Sequence, residues 1–130
     1  MLSALQRTLA AVVLLLPGAL SALGVGDIEV ASGLNQRFDA RIPIFGAKPG
    51  ELADASARLA EKEIFERAGL VRGDALMGLK FAVVSTGDES GYIHVTSRDD
   101  VREPALEFII ELKWRNGSVR RNYAVLLEPR

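Results

Sequence analysis

The chain has 130 residues, of which 48% are hydrophobic and 25% charged, so a globular domain is expected rather than a disordered chain. Sixteen basic and 17 acidic side chains give a net charge of −1, which supplies no basic patch for nucleic acid or for an anionic membrane surface. The sequence contains no cysteine, which excludes disulfides, thiol catalysis and zinc–thiolate sites.

Residues 1–22 have the layout of a secretory signal peptide. A single arginine precedes the apolar stretch TLAAVVLLL at residues 8–16, a Pro-Gly pair ends that stretch, and small residues follow. We expect cleavage after Ser21 or Ala22, which would leave an exported domain over residues 23–130. The alternative is a membrane anchor formed by the uncharged residues 8–26, a span close to the ~20 residues of a membrane helix but interrupted by the Pro-Gly pair.

Period-two alternation predicts two half-buried strands at the start of the domain. Ile28, Val30 and Leu34 share one face, and a second apolar face follows the Asn-Gln turn at residues 35–36, formed by Phe38, Ala40, Ile42 and Ile44. Pro43 lacks a backbone N–H, so the second strand is predicted to lie at a sheet edge.

The middle of the chain is predicted to add a weak strand over residues 53–59, a helix over 61–68 that ends at Gly69, and further strands. The segment LKFAVVS (79–85) is apolar on both faces, which predicts a strand buried on both sides. In the strand 92–97, Ile93 and Val95 are expected inside and His94 outside, and residues 98–104 are expected to form a charged loop.

The C-terminal segment LKWRNGSVRRNYAVLLEPR predicts a long β-hairpin. A type I′ turn centred on residues 116–117 would place Trp114 opposite Val119 and would make one face apolar and the other polar. Arg121 then lies on the apolar face, where an unpaired guanidinium would be costly. We expect an ion pair, for which Glu63, Glu66 and Glu103 are the possible carboxylates, or a stack on an aromatic ring.

Six or seven short strands and one short helix indicate a mainly β protein, an antiparallel immunoglobulin-like β-sandwich. Candidate catalytic groups are few. The single histidine, His94, has no second histidine or cysteine for a metal site, and no serine occupies a nucleophile elbow. Asp99, Asp100 and Glu103 favour a solvated turn over a cation site. We therefore expect no enzyme activity and no cofactor, whereas an open edge strand offers a partner the option of strand addition.

Five segments carry a family resemblance that spans residues 23–129. They are ALGVGDIEVASGLNQRFDARIPI, LAEKEIFERAGLVR, LKFAVVS, IHVTS and VREPALEFIIELKWRNGSVRRNYAVLLEP. The shared features are the start Leu-Gly-x-Gly-(Asp/Glu)-Ile, a Leu-Asn-Gln turn, Arg-Glu-Pro-x-Leu-x-Phe, a Trp-x-x-Gly turn and Arg-x-Tyr-x-Val-Leu-Leu-(Asp/Glu)-Pro. In these motifs and their order the chain resembles the N-terminal periplasmic domain of the FimV family.

The resemblance implies a role in type IV pilus assembly, twitching motility and cell-pole organisation in Gram-negative bacteria. FimV proteins continue with a LysM module, a membrane helix and tetratricopeptide repeats, for which this sequence has no counterpart, so it looks like a short form. Expected partners are envelope proteins of the pilus or polar machinery, with peptidoglycan as an alternative. Nucleic acid is not expected, and membrane contact is expected only if the N-terminal segment is uncleaved.

The resemblance also carries over particular residues. Arg102, Glu103 and Arg121 are the candidate interaction residues. The remaining motif positions are expected to define the fold: Pro104, Trp114, Gly117, Tyr123 and Pro129. The chain departs from the family pattern at Arg115, Asn122 and Glu128, where proline, glutamate and aspartate are usual, and the change at residue 122 removes a possible cross-strand charge.

Overall fold

The structure is a computed structural model that describes residues 23–87 and 89–129, so the predicted signal peptide and its cleavage positions Ser21 and Ala22 lie outside the described residues. The described part contains eight strands, two short helices and a 3₁₀ turn at Glu51–Asp54. The helices are α1 (Lys62–Arg67) and α2 (Asp74–Met77). The strands are β1 (Gly24–Val25), β2 (Glu29–Val30), β3 (Gln36–Phe45), β4 (Ser56–Leu59), β5 (Leu79–Ser85), β6 (Gly91–Val101), β7 (Ala105–Trp114) and β8 (Gly117–Leu126).

The strands form two antiparallel sheets, as the sequence predicted. In the first sheet, β3 pairs with β6 on one side and with the short strands β1 and β2 on the other, and β5 pairs with β6. The second sheet has the order β4-β7-β8. The two sheets bury one shared apolar core, which confirms the predicted mainly β sandwich.

The predicted alternation in β3 and β6 is confirmed by burial. Every second side chain of β3, from residue 38 to residue 44, is at most 3% exposed. Ile93 and Val95 of β6 are fully buried, and His94 between them points outward. The charged loop predicted for residues 98–104 is shorter than expected, because β6 continues to Val101 and leaves only residues 102–104 as the connection to β7.

The strand that contains Pro43 is not an edge strand, which corrects the prediction. The Pro43 carbonyl accepts a hydrogen bond from the Gly26 N–H, so the proline ring nitrogen faces the gap between β1 and β2. Because neither short strand pairs with residue 43, the missing N–H breaks no ladder hydrogen bond. An interior strand tolerates proline here because its neighbour is interrupted at the same place.

Strand β5 was expected to be buried on both sides and is instead the edge of the first sheet. Leu79 is buried and Phe81 and Val83 are half-buried on its inner face, whereas Lys80 and Ala82 are exposed. The apolar content of LKFAVVS therefore reflects an edge strand that lies against β4 of the other sheet.

The predicted order of a strand followed by a helix is confirmed by β4 and α1, but the strand begins only at Ser56, because residues 51–54 form the 3₁₀ turn. Phe65 on α1 is fully buried, whereas Ala68, which shares its helical spacing, is exposed. Gly69 has a φ of 74°, and hydrogen bonds from Gly69 N–H to Glu66 O and from Leu70 N–H to Phe65 O terminate the helix. This is the Schellman arrangement that a glycine at this position predicts.

The closing hairpin is present, but its register differs by two residues from the predicted one. Trp114 pairs with Gly117, so the turn residues are Arg115 and Asn116, neither of which has a positive φ, and the turn is not of type I′. A Cβ atom on Gly117 would lie 3.3 Å from Cζ2 of Trp114, so the indole ring covers the glycine. Gly117 is therefore the first residue of β8 beneath this ring and not a turn residue.

The structure also bears on the alternative of a membrane anchor over residues 8–26. Leu23 is buried in the core, Gly24–Val25 pairs with β3, and Gly26 donates to Pro43. Residues 23–26 therefore cannot belong to a membrane helix while the domain is folded. Of the residues in this alternative, 8–22 lie outside the described part of the chain.

Candidate functional site

Arg121 and Tyr123 of β8 hold the N-terminal segment of the domain, and we call this cluster the N-terminal clamp. The Arg121 guanidinium donates to the Val25 carbonyl at 3.0 Å, forms an ion pair with Asp27 and lies 5.0 Å above the Tyr123 ring. The Tyr123 hydroxyl donates to the Gly26 carbonyl at 2.7 Å. The clamp joins the first and last motifs of the domain across the sandwich.

The backbone of the N-terminal segment that the clamp holds passes very close to β3 at Gly26. A Cβ atom on Gly26 would lie 2.7 Å from the Phe45 ring and 2.9 Å from Cγ of Pro43, so only glycine fits without displacement. Burial raises the pKa of the Tyr123 hydroxyl to about 12, and the nearby Arg121 charge partly offsets that rise. Tyr123 therefore remains a neutral hydrogen-bond donor throughout the physiological pH range.

The sequence predicted an ion pair or an aromatic stack for Arg121, and the structure has both. The carboxylate is that of Asp27, not that of Glu63, Glu66 or Glu103, and the ring is that of Tyr123. The guanidinium side chain is 38% exposed and sits at the rim of the sandwich. Arg121 is thus occupied by contacts within its own domain.

Arg102 and Glu103 lie elsewhere, on the connection between β6 and β7, where the chain crosses from one sheet to the other. Both side chains are exposed, and they line a shallow groove of about 300 Å³ together with residues of α2 and Asp99. From Ala105, where β7 begins after this connection, five residue steps lead to Ile110, the partner of Arg121, a distance of roughly 17 Å along the strand. The three candidate interaction residues therefore do not form one site.

The remaining motif residues lie along the closing hairpin. The Pro104 carbonyl accepts a hydrogen bond from the Leu127 N–H at 2.8 Å, at the open end of the hairpin. Trp114 is half-buried over Gly117 at the other end, and Tyr123 is buried in between. Pro129 is exposed beyond β8 and lines a small notch beside Leu126.

The only histidine belongs to an exposed cross-strand pair. His94 Nε2 lies 2.8 Å from Oδ1 of Asp39, and no serine or threonine hydroxyl joins this pair within residues 23–87 and 89–129. Ser97 serves the backbone instead: its hydroxyl accepts from the Phe38 N–H at the bulge in β3 and donates to the Asp99 carbonyl. The described residues also contain no cluster of histidine, aspartate and glutamate that could hold a metal ion.

A charged cluster on the outer face of the second sheet was not identified from the sequence. Glu111 of β7 accepts from Arg58 of β4 at 2.9 Å and from Arg120 of β8 at 3.3 Å. The hydrogen bond from Arg58 holds the pKa of Glu111 below its usual value, although burial opposes this. The predicted register placed Asn122 opposite Glu111, whereas the true register pairs Glu111 with Arg120 and would have indicated the contact.

The fold and the clamp define a class: an immunoglobulin-like sandwich whose N-terminal segment is held against its closing hairpin. A family model described as "FimV N-terminal domain Ig-like domain" matches residues 23–130. The motility hub proteins FimV of two strains of Pseudomonas aeruginosa are each 38% identical over 128 residues, which covers 98% of this chain. The chain belongs to the FimV N-terminal domain family.

The chain spans 14% of the length of these curated relatives. No solved structure matches the sequence. Within residues 23–87 and 89–129, no helix is long and apolar enough to cross a bilayer.

Proposed function

We propose that the chain is a non-catalytic protein-interaction domain of FimV type that is exported to the periplasm and supports type IV pilus assembly and cell-pole organisation. The observation that carries this proposal is the identity of 38% across nearly the whole chain to proteins named motility hub proteins. Such proteins are expected to act by binding other proteins, and an immunoglobulin-like sandwich offers exposed strands and loops for that purpose.

The proposed contact surface is the β6–β7 connection that carries Arg102 and Glu103. Both side chains are exposed and neither forms an ion pair among the described residues, so both charges are available to a partner. Arg121, the third candidate from the sequence, is not part of this surface, because its guanidinium holds the N-terminal segment of the domain at Val25.

A domain replacement tests the proposal. This chain would replace the matching N-terminal domain of FimV in Pseudomonas aeruginosa, and twitching motility would be measured. We expect motility to be retained by the replacement and reduced by the double reversal Arg102→Glu with Glu103→Arg. The matched control is the reversal Lys62→Glu with Glu63→Lys on exposed positions of α1, away from this groove. A folded replacement that supports no motility, or equal losses in both reversals, would contradict the proposal.

Localisation and the two other functional hypotheses have separate tests. A periplasmic species with an intact mass that starts at Ala22 or Leu23 is expected for the exported domain, whereas an uncut membrane-bound species would contradict it. Pelleting with purified sacculi would favour the peptidoglycan alternative. A His94→Ala variant is expected to leave motility unchanged. Loss of motility in a normally folded His94→Ala variant would favour the hypothesis of an enzyme.

A further inference from the structure

Strand β8 forms an open edge along one long side of the sandwich. Its ten residues pair with β7 without a register shift, and its sequence GSVRRNYAVL contains no proline. No backbone group of residues 117–126 bonds to any other element among the described residues. An edge strand of this length and regularity is a template for pairing with another strand, and most proteins cover or interrupt such an edge.

The hairpin register determines which backbone groups face outward. Trp114 and Gly117 flank a two-residue turn and form a hydrogen-bonded pair, so the alternation leaves every second residue of β8 with its N–H and C=O directed away from β7. These positions cover roughly 27 Å along the edge. The residues are Ser118, Arg120, Asn122, Ala124 and Leu126.

The opposite long side of the sandwich is closed, which distinguishes β8 from the other edges. There β4 and β5, the edges of the two sheets, lie against each other. On the β8 side, the neighbouring edge consists of the two-residue strands β1 and β2, and the clamp reaches it through side chains on the inner face. The clamp therefore leaves the outward backbone groups of β8 free.

The charge near this edge indicates an acidic occupant. Strand β8 carries Arg120 and Arg121 and no acidic residue. On the outer face beside this edge, three basic side chains (Arg58, Arg120 and Lys113) stand against two acidic ones (Glu107 and Glu111), because Arg121 is paired with Asp27 on the inner face. Lys113 has no carboxylate partner among the ion pairs of the described residues. A second copy of β8 would bring another Arg120 to this edge, and like charges on paired strands are destabilising.

The end of the edge provides an apolar contact. Leu126 is 80% exposed, and beside it lies a notch of about 170 Å³ lined by Val30, Ser32, Glu128 and Pro129. A strand paired with β8 would place a side chain at this notch, because alternate residues of an added strand face the same side as Leu126.

We propose that β8 binds an extended acidic segment of another protein by strand addition, with glutamate or aspartate near Arg120 and an apolar side chain at the Leu126 notch. Backbone hydrogen bonds provide the affinity, and the charge and the notch set the direction and register of the added strand. The proposal rests on the proposed function only in taking the chain to be a protein-binding domain.

The test uses a nine-residue peptide of alternating valine and glutamate, capped at both ends, and a counterpart with lysine in place of glutamate. Hydrogen exchange of the five outward amides is measured by NMR. The sample is the purified protein after removal of the signal peptide, which leaves residues 23–130. We expect exchange to slow by about tenfold at 90% occupancy with the acidic peptide. The lysine peptide should produce no protection.

Variants at Asn122 separate backbone recognition from side-chain recognition. Asn122→Pro removes an outward N–H and is compatible with an exposed edge strand, whereas Asn122→Ala removes the same amide side chain and its bond to Glu107 but keeps the N–H. We expect the proline variant to lose binding and the alanine variant to keep it. Slow exchange of the β7 amides in both variants would verify folding.

The remaining outcomes overturn the proposal. Absence of protection with both peptides at millimolar concentration would do so, as would equal protection by both peptides or equal binding by both Asn122 variants. Protection that rises with protein concentration without peptide would identify a second copy as the occupant. Loss of motility in the Arg102 and Glu103 reversal with normal motility in Asn122→Pro would leave the proposed function in place and remove only strand addition.

Discussion

The two long sides of the sandwich are closed in different ways. On one side β4 lies against β5, and α1, which carries the fully buried Phe65, lies between these two strands in the chain. On the other side the short strands β1 and β2 face β8, and the polar clamp of Arg121 and Tyr123 bridges them. Apolar packing gives the first side most of its stability, whereas the clamp gives the second side a defined geometry and leaves an edge open.

The first prediction concerns the contribution of apolar packing to stability on the closed side. Phe65→Ala should lower the free energy of unfolding by about 3–5 kcal/mol, because a fully buried ring is replaced by a cavity. Urea unfolding of the purified domain gives this value directly. Ile64→Ala at a half-buried neighbouring position is the control and should cost less. A loss below about 1 kcal/mol for Phe65→Ala would mean that packing does not close this side.

The second prediction concerns the hairpin end next to the open edge. A fully buried indole would lose about 3–5 kcal/mol on truncation. The Trp114 ring is half-buried, so Trp114→Ala should cost only about 1–2 kcal/mol in urea unfolding. Since Trp114 is the only tryptophan, circular dichroism must follow this variant in place of fluorescence. A loss of stability as large as that of Phe65→Ala would indicate that the Trp114 ring closes the hairpin side of the sandwich as fully as Phe65 closes the other side.

The third prediction tests the clamp. Tyr123→Phe removes the hydrogen bond to the Gly26 carbonyl and should lower the free energy of unfolding by about 1–2 kcal/mol. Tyr92→Phe removes a hydroxyl from a half-buried tyrosine of β6 that makes no side-chain hydrogen bond among the described residues, so it should change stability little and serves as the control. If Tyr123→Phe were neutral as well, the clamp would have no measurable role in holding residues 25–27.

The raised pKa of Tyr123 adds a pH dependence to this prediction. The folded pKa of about 12 lies above the ordinary value of 10, so the stabilisation from the neutral hydroxyl is complete below pH 10 and falls as the pH rises toward 12. In a Tyr92→Phe variant, Tyr123 is the only tyrosine, and its absorbance titration should have a midpoint near 12. A midpoint near 10 would show that the hydroxyl is not buried.

The elements that follow from local patterns could be predicted from the sequence. Strand alternation identified the buried faces of β3 and β6, and glycine at residue 69 identified the end of α1. The hairpin register was wrong by two residues, but an even shift keeps each side chain on its own face, so the apolar face and the inward position of Arg121 were still predicted.

Contacts between distant segments could not be predicted in this way. The Arg121–Asp27 pair joins residues that are 94 positions apart, and no periodicity relates them. Similarly, LKFAVVS was assigned to the interior because composition records how apolar a strand is but not whether a neighbour lies on each side. The prediction of the candidate site was the least accurate. Arg102 and Arg121 were grouped because both belong to family motifs, whereas the fold separates them.

The last and smallest predicted effect concerns the outer face of the second sheet, where the carboxylate of Glu111 joins both edge strands. Glu111→Gln should lower stability at pH 7 by less than the core or clamp substitutions, because its two arginine partners are largely exposed. The folded pKa of Glu111 is lowered, so its contribution is present above pH 4.5 and is lost as the pH falls through the folded pKa.

Unfolding of wild type and Glu111→Gln should therefore converge in strong acid and differ at neutral pH. Glu107→Gln, on the same strand and face, removes a carboxylate that binds an amide and no arginine, so it controls for the loss of charge. A wild-type advantage that did not vary with pH would mean that the Arg58–Glu111–Arg120 contacts contribute by packing.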